Sequence, residues 1–126
     1  MENEDQQGNA VEEKSFRFAV RIVRLYQYLS DNKKEYVLSQ QLLRSGTSIG
    51  ANVSEAQQAQ SKADFISKMA VALKETTETK YWLRLLYETD YLNQREHTAI
   101  HGDCVEIEKL LTAIVKASRQ DNDERP

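Results

Sequence analysis

Apolar side chains recur along this chain at steps of three and four residues, which places them on one face of an α-helix. Four such segments follow one another, at about 14–30, 35–58, 61–89 and 93–119. The fourth has the four-three-four-three spacing of helix bundles, in Ile100, Cys104, Ile107, Leu111 and Ile114. The pattern predicts an all-α protein, an up-down-up-down antiparallel four-helix bundle.

The same spacing predicts one core line on each of the other helices. These lines are Phe16, Ala19, Val20, Val23, Tyr26 and Leu29 on the first helix, Leu38, Leu42, Ile49, Val53 and Ala56 on the second, and Phe65, Met69, Ala72, Thr76, Leu83 and Tyr87 on the third. Other large apolar residues lie off the lines: Phe18, Leu25, Tyr28, Trp82 and Leu86. We expect a second copy of the chain to cover this surplus, and the alternative is a thicker core within one monomer.

Turn-forming residues are scarce. The 126 residues fit one domain and include four glycines and one proline, which argues against sandwiches and barrels. Helix starts are indicated by Ser61 with Asp64 and by Asn93 with Glu96, because each pair has the spacing of a capping box.

The net charge of −3 is unevenly distributed along the chain. Residues 1–13 hold five acids and no base, residues 120–126 hold three acids and one base, and both segments are predicted to be acidic disordered tails. Residues 14–119, the predicted bundle, carry 16 bases and 12 acids. The acidic overall balance therefore does not exclude nucleic acid as a partner.

The chain is expected to be cytoplasmic. Its single cysteine, Cys104, cannot form an intramolecular disulfide. The N-terminus lacks the pattern of a signal peptide, and no apolar run is long enough to cross a membrane.

Two blocks carry a family resemblance. The segment 41–56 reads QLLRSGTSIGANVSEA, and Ala72-Leu73-Lys74-Glu75 is followed by Tyr81-Trp82-Leu83. In order and spacing they resemble the four helix bundle protein family, also called the 23S rRNA-intervening sequence protein family. The resemblance spans about 16–116 and implies a small bacterial all-helical protein that forms a ring-like homopentamer. A relative, the accessory variability protein of diversity-generating retroelements, binds nucleic acid and a reverse transcriptase, while most members have no known molecular function.

One polar ridge is predicted on the second helix, formed by Arg44, Ser48, Asn52 and Glu55. We favour a structural polar network over a site for phosphate or base edges. Gly46 and Gly50, four residues apart, are predicted to mark the close approach of another helix, because glycine otherwise costs about 1 kcal/mol inside a helix.

A basic stripe is predicted on the first helix, formed by Lys14, Arg17, Arg21 and Arg24 with no acid between Lys14 and Ser30. A basic face flanked by Phe18 and Tyr28 is suited to nucleic acid, and the alternative is a solvated charged face.

Metal and enzyme chemistry are not expected. His97, His101 and Cys104 have chelating spacing, but Cys104 belongs to the core line. The Glu-x-x-His pairs of di-iron bundles are missing, because Gln94 and Thr98 stand three residues before the histidines. No His or Cys lies near Ser48 in sequence to activate it. We predict no cofactor and no catalytic residue.

Trp82 and Leu86 are predicted to form an oligomer interface, since tryptophan often anchors interfaces. The sequence thus favours a non-enzymatic, homo-oligomeric binding or scaffold module that binds nucleic acid through its basic face. The alternative is an accessory subunit that binds a protein, for example a reverse transcriptase, and a metal-dependent enzyme is the remote alternative.

Overall fold

The predicted four-helix bundle is confirmed by the computed structural model of the chain, which describes the backbone of residues 2–123 and the side chains of residues 10–121. Its helices are α1 (Glu2–Asp31), α2 (Leu38–Ala56), α3 (Lys62–Glu88) and α4 (Gln94–Asp123), and no strand occurs in the described part. Each helix packs against the next one, and α1 also packs against α4. The short connections therefore give an antiparallel bundle with α1 and α3 on one diagonal.

Both outer helices extend beyond their predicted limits. Helix α1 begins at Glu2 rather than near Lys14, and α4 continues to Asp123. Val11 is fully buried, so the core reaches into the segment that the charge pattern predicts as a tail. That one apolar position, seven residues before Phe18, extends the core period of α1. Residue 1 and residues 124–126 of the predicted tails lie outside the described residues.

The predicted core lines of α2 and α4 are confirmed, and that of α3 is confirmed in its central part. Leu42, Ile49, Val53 and Ala56 are buried on α2, as are Met69, Ala72, Thr76 and Leu83 on α3 and all five predicted positions on α4. Leu38, Phe65 and Tyr87 are partly buried against the same core.

The predicted core line of α1 is wrong at Phe16, Val20 and Val23, whereas Leu29 is buried as predicted. The buried residues of this helix are Val11, Ser15, Phe18, Ile22 and Leu29, with Leu25 packed against them. Phe16 is 68% exposed, and Val20 and Val23 are also exposed. Helix α1 is therefore rotated so that Phe18 and Leu25, expected as surplus, fill the core, while half of the expected core line faces outwards.

Two glycines of α2 set this rotation. A Cβ atom at Gly46 would stand 2.8 Å from Cγ1 of the buried Ile22, and one at Gly50 would stand 3.1 Å from the backbone oxygen of Ser15. Real Cβ atoms essentially never come as close as the first distance, and the second involves backbone that cannot rotate away. Helix α1 thus lies in a groove of α2 that exists because both positions lack a side chain.

The turns at one end of the bundle are held by hydrogen bonds. Lys34, with φ of 57°, lets the N–H of Glu35 donate to the Leu29 carbonyl. At Asp90, with φ of 70°, the N–H groups of Tyr91 and Asp90 donate to the carbonyls of Leu86 and Tyr87, as in a Schellman motif.

The N-terminus of α2 is capped by a glutamate. The carboxylate of Glu35 accepts hydrogen bonds from the N–H groups of Val37, Leu38 and Ser39 at 2.7–3.1 Å. Burial alone would raise the pKa of Glu35, but the backbone donors outweigh burial and hold the pKa below its ordinary value. The ionised carboxylate therefore stabilises both the helix and the turn before it.

The capping boxes differ in completeness. Between Asn93 and Glu96 each side chain accepts from the other residue's N–H, at 2.8 and 2.9 Å. Ser61 accepts from the N–H of Asp64, but Asp64 accepts from the N–H of Gln60 instead of that of Ser61.

We predict that Gly46→Leu and Gly50→Leu each lower the free energy of unfolding by about 1–3 kcal/mol or more, because the added side chain forces α1 off α2. Chemical denaturation measures this change. Gly102→Ala is the matched control: its Cβ would meet nothing within 4 Å, so it should gain up to about 1 kcal/mol of helix propensity. Equal stability of all three variants would contradict the close approach.

We also predict that Glu35→Gln lowers the stability at pH 7 by about 1–2 kcal/mol, because a neutral acceptor caps α2 less well. Since the pKa of Glu35 is lower in the folded state, its contribution is complete above the ordinary value of 4.5 and is lost as the pH falls through the folded-state pKa. The difference between wild type and variant should therefore shrink in acid. Urea denaturation at pH 7 and pH 3 tests this, and the exposed Glu12→Gln serves as control. A difference that is constant with pH would disprove the ionised cap.

Candidate functional site

The basic stripe of α1 lies beside α4, and most of its charges are paired. Lys14 forms an ion pair with Glu106, Arg21 with Asp103, and Arg17 with Glu13 of its own helix. The acids of α4 thus neutralise Lys14 and Arg21, and an acid of α1 itself neutralises Arg17. All three pairs are largely exposed, so they are weak and can exchange for another anion.

Arg24, at the end of the stripe, differs from the other three bases. It is exposed, and no ion pair involves it among the described side chains. One turn further along α1 lies Tyr28, which is 37% exposed. The stripe therefore has a paired part along α4 and an open end near the α1–α2 turn.

The polar ridge of α2 lies along the seam with α3. Arg44 forms an ion pair with Glu78, and its Nη1 lies 3.9 Å from Oε2 of Glu75. At the other end, Glu55 pairs with Nζ of Lys68 at 3.3 Å. The ridge joins α2 to α3 through opposite charges.

The two middle residues of the ridge bond to their own helix. The hydroxyl of Ser48 donates to the carbonyl of Arg44 at 2.6 Å, and Nδ2 of Asn52 donates to the carbonyl of Ser48 at 2.8 Å. The first of these bonds occupies the hydroxyl hydrogen of Ser48.

Glu75 is the strained member of the Arg44 cluster. Its Oε2 is buried without a hydrogen-bond donor in the described structure. Burial raises the pKa of Glu75, Glu78 raises it further, and Arg44 compensates only in part. Because two carboxylates share one guanidinium, the cluster is held together by a single cation.

The predicted interface residues Trp82 and Leu86 have different surroundings. Leu86 is fully buried in the core of its own chain, so its assignment to an oligomer interface is wrong. The period of the core continues from Leu83 to Leu86, which turns Leu86 inwards. Trp82 is half-buried, donates from Nε1 to Oε1 of Glu78 at 3.3 Å, and packs edge-on against Tyr81.

Tyr81 and Val71 are also exposed on α3, and the sequence pattern associates both with Trp82. Tyr81 is 58% exposed and Val71 40%. With Trp82 they form what we call the α3 face. The Trp82–Glu78–Arg44 contacts place it on the side of α3 that adjoins α2.

A second apolar surface lies on α1 and is called here the α1 stripe, consisting of Phe16, Ala19, Val20 and Val23. Beside it runs a groove of about 530 Å³ between α1 and α2, which is lined on the α1 side by Glu12, Glu13, Phe16 and Ala19 and on the α2 side by Thr47, Gly50, Ala51 and Ser54. The sequence pattern found these α1 residues but placed them in the core. The heptad spacing from Val11 to Ser15 to Phe18 to Ile22 was the signal that distinguishes the two faces.

The histidines and Cys104 do not converge on a common point. His97 stacks between Tyr87 and His101, with ring centroids 4.7 and 5.1 Å away. Burial lowers the pKa of His97, and His101 lowers it further. Cys104 donates to the Thr76 carbonyl at 3.6 Å, and burial raises the pKa of its thiol to about 12. Across the described residues, no group of three or more His, Cys, Asp or Glu side chains is arranged to hold a metal ion.

A search for membrane spans over the described residues finds no helix with the length and apolar character that crossing a bilayer requires.

Comparison with known proteins agrees with this architecture. A crystal structure of a protein of unknown function from the S23 ribosomal protein family of Bacteroides thetaiotaomicron is 55% identical to this chain. The match covers 87% of this chain and 98% of that one, with a TM-score of 0.87. No curated protein matches the sequence. Residues 7–113 match the family described as 23S rRNA-intervening sequence protein, and the chain therefore belongs to that family.

Proposed function

We propose that this protein is a non-enzymatic binding module of the cytoplasm that assembles with copies of itself and binds nucleic acid on the assembled surface. The observation that carries the assembly is the α1 stripe, where Phe16 is 68% exposed beside exposed Val20 and Val23. Covering such side chains in a partner gains about 1.5–3 kcal/mol for each one fully buried. A small charged protein rarely keeps a continuous apolar surface without a partner for it.

The α3 face supplies the complementary surface. It differs in composition from the α1 stripe and lies on another helix, so contact between the two is head-to-tail rather than symmetric. Both surfaces adjoin α2, one between α1 and α2 and the other between α2 and α3. Because the two surfaces lie on neighbouring sides of the bundle and not on opposite ones, each head-to-tail contact turns one copy relative to the last, and the chain of copies closes into a ring where these rotations add up to a full turn. The pentamer implied by the family resemblance is consistent with this geometry.

Nucleic acid is the proposed ligand because residues 14–119 carry 16 bases against 12 acids and four of these bases lie along one side of α1. In the ion pairs between α1 and α4 both side chains are exposed, for example Lys14 at 42% and Glu106 at 55%. Phosphates would replace carboxylates as their partners. A ring carries several copies of the basic stripe of α1, so it strengthens nucleic-acid binding through multivalency.

The absence of catalysis in this proposal is supported by the state of the candidate nucleophiles. With a pKa of about 12, the thiol of Cys104 stays protonated at neutral pH. Ser48 donates its hydroxyl hydrogen to a backbone carbonyl rather than to a base.

A protein-binding accessory subunit is the second candidate, and the α3 face favours it. Exposed Tyr81 next to half-buried Trp82 has the composition of a protein-binding hot spot. If copies of the chain leave this face uncovered, a different protein is its partner.

We predict that Phe16→Glu and Tyr81→Glu each convert the assembly into monomers, because each removes one side of the head-to-tail contact. An equal mixture of the two variants still has one intact pair of surfaces and should give dimers only. Light scattering after size exclusion measures these masses, and the exposed Lys109→Glu is the control. If Tyr81→Glu keeps the full assembly, the α3 face is not the second surface. If wild type is a monomer at high concentration, the assembly is disproved.

We predict that the wild-type protein binds RNA or DNA at low salt, and that the affinity falls steeply as the salt concentration rises. Replacing Arg17, Arg21 and Arg24 together with Gln should weaken binding by about tenfold or more, since each phosphate contact adds to both affinity and salt dependence. Fluorescence anisotropy with single- and double-stranded oligonucleotides measures both. No binding at 20 mM salt would rule out nucleic acid as the ligand.

A further inference from the structure

We propose that the α1–α2 turn and the end of α1 form a binding platform for single-stranded nucleic acid, with bases stacking on Tyr28 and Tyr36. The platform consists of Arg24, Tyr28, Lys33, Lys34 and Tyr36. This inference rests on the proposed nucleic-acid binding. It places the contact at the open end of the basic stripe, beyond the side chains of Lys14, Arg17 and Arg21, which are in ion pairs.

The two tyrosines offer ring surface at the edge of the bundle. Tyr36 is 53% exposed and Tyr28 is 37% exposed, and neither belongs to the core of the chain. Val37, beside Tyr36, is 71% exposed. Aromatic rings at such positions stack on unpaired bases of any sequence, each contributing about 1–3 kcal/mol.

The cations of the platform are available to phosphates. Arg24, Lys33 and Lys34 are exposed, and within the described side chains none of them forms an ion pair. Nζ of Lys33 lies over one face of the Tyr28 ring, 6.0 Å from its centre, so a base that stacks on this face has to displace the cation, which can then bind a phosphate. This arrangement differs from Lys14, Arg17 and Arg21, each of which is occupied by a carboxylate.

The acids of the same segment offset these cations incompletely. Glu35 points into the protein, where its carboxylate accepts three backbone N–H bonds and is only 7% exposed as a residue. Asp31 is exposed, so three outward cations face one outward carboxylate. The charge of this segment therefore favours an anionic ligand, whereas the neighbouring α3–α4 turn adds the exposed acids Glu88 and Asp90 at the same end of the bundle.

The turn is rigid enough to present the rings in a fixed arrangement. The N–H groups of Asn32 and Lys33 donate to the Tyr28 carbonyl, and that of Glu35 donates to Leu29. The Ser39 hydroxyl donates to the Glu35 carbonyl at 2.8 Å and ties the turn to α2. Because the backbone is already fixed, binding need not pay for ordering the loop.

Single strands fit this platform better than duplexes or acidic peptides. A duplex keeps its bases stacked inside, so it would use the cations but not the rings. An acidic peptide would likewise use the cations alone. The alternation of free cations and exposed rings is therefore specific for a ligand that carries both phosphates and unstacked bases.

The test is anisotropy titration of the full chain with a fluorescent 20-nucleotide poly(dT) or poly(U) strand and with a duplex of the same length. Tyr36→Leu should weaken single-strand binding by about tenfold or more, Tyr28→Leu similarly, while duplex binding changes little. Tyr36→Phe keeps the ring and should bind like wild type. Each variant is checked by circular dichroism and thermal unfolding, so loss of fold is distinguished from loss of stacking.

The charge arm of the test replaces Lys33 with Gln and Lys34 with Asn, which tolerates the left-handed backbone. Losing two phosphate contacts should lower the salt slope for single strands by about 1.4, at roughly 0.7 for each contact. Lys109→Gln with Lys116→Gln removes the same charge from exposed positions of α4 and should leave the slope unchanged. Polyglutamate is included as a competitor that lacks bases.

Three results would overturn the platform. The first result is that the tyrosine and lysine variants bind like wild type, while the variant with Gln at Arg17, Arg21 and Arg24 loses binding. Nucleic-acid binding then stands, but its site is the basic stripe of α1. If polyglutamate competes as well as the single strand and Tyr36→Leu has no effect, the surface recognises only charge. If wild type binds neither single strand nor duplex at low salt, the proposed nucleic-acid function fails together with the platform.

Discussion

The contact between α1 and the two glycines of α2 determines which residues this protein keeps inside. Ile22 fits against Gly46 at a distance that leaves no room for a Cβ atom, and the Ser15 backbone fits against Gly50 at a distance that would make a Cβ contact unusually tight. Once this contact is made, the rotation of α1 is fixed, because a helix that turns about its axis would bring a different side chain into the groove. The exposed α1 stripe, the pairing of Lys14 and Arg21 with α4, and the position of Tyr28 all follow from that rotation.

The sequence pattern predicted α2 and α4 well because each has a single apolar line. The line from Ile100 to Ile114 has no competing apolar face, so burial could be assigned from spacing alone. Helix α1 has two apolar lines, one through Phe16, Val20 and Val23 and one through Phe18, Ile22 and Leu29. Hydrophobicity does not choose between them. The choice is made by steric fit to the glycines, which is a property of the pair of helices and not of either sequence segment.

The sequence predicted which residues form the basic stripe, but it did not predict their ion pairs. The four bases of the stripe do lie along one side of α1, but Asp103 and Glu106, the partners of Arg21 and Lys14, stand more than 80 positions away in sequence, so local charge patterning could not reveal these two pairs. Leu86 was misassigned for a related reason, since a leucine one turn after the half-buried Trp82 gives no local sign of which side it faces. In contrast, the free cations near Tyr28 and Tyr36 lie close together in sequence. Recognising them as a group requires only the conformation of the α1–α2 turn and no contact between distant segments.

That turn shows how stability and surface chemistry are linked. Glu35 is the one acid between Lys33 and Tyr36. If its carboxylate were exposed, it would neutralise a neighbouring lysine. Because the N-terminus of α2 needs an acceptor for its first N–H groups, the carboxylate is drawn inwards and bonded there. The same interaction that begins α2 therefore leaves the lysines on the surface without their nearest counter-ion and holds Tyr36 outwards. An uncapped helix start would lose both effects together, so the basic and aromatic character of this end of the bundle is a consequence of how α2 is capped.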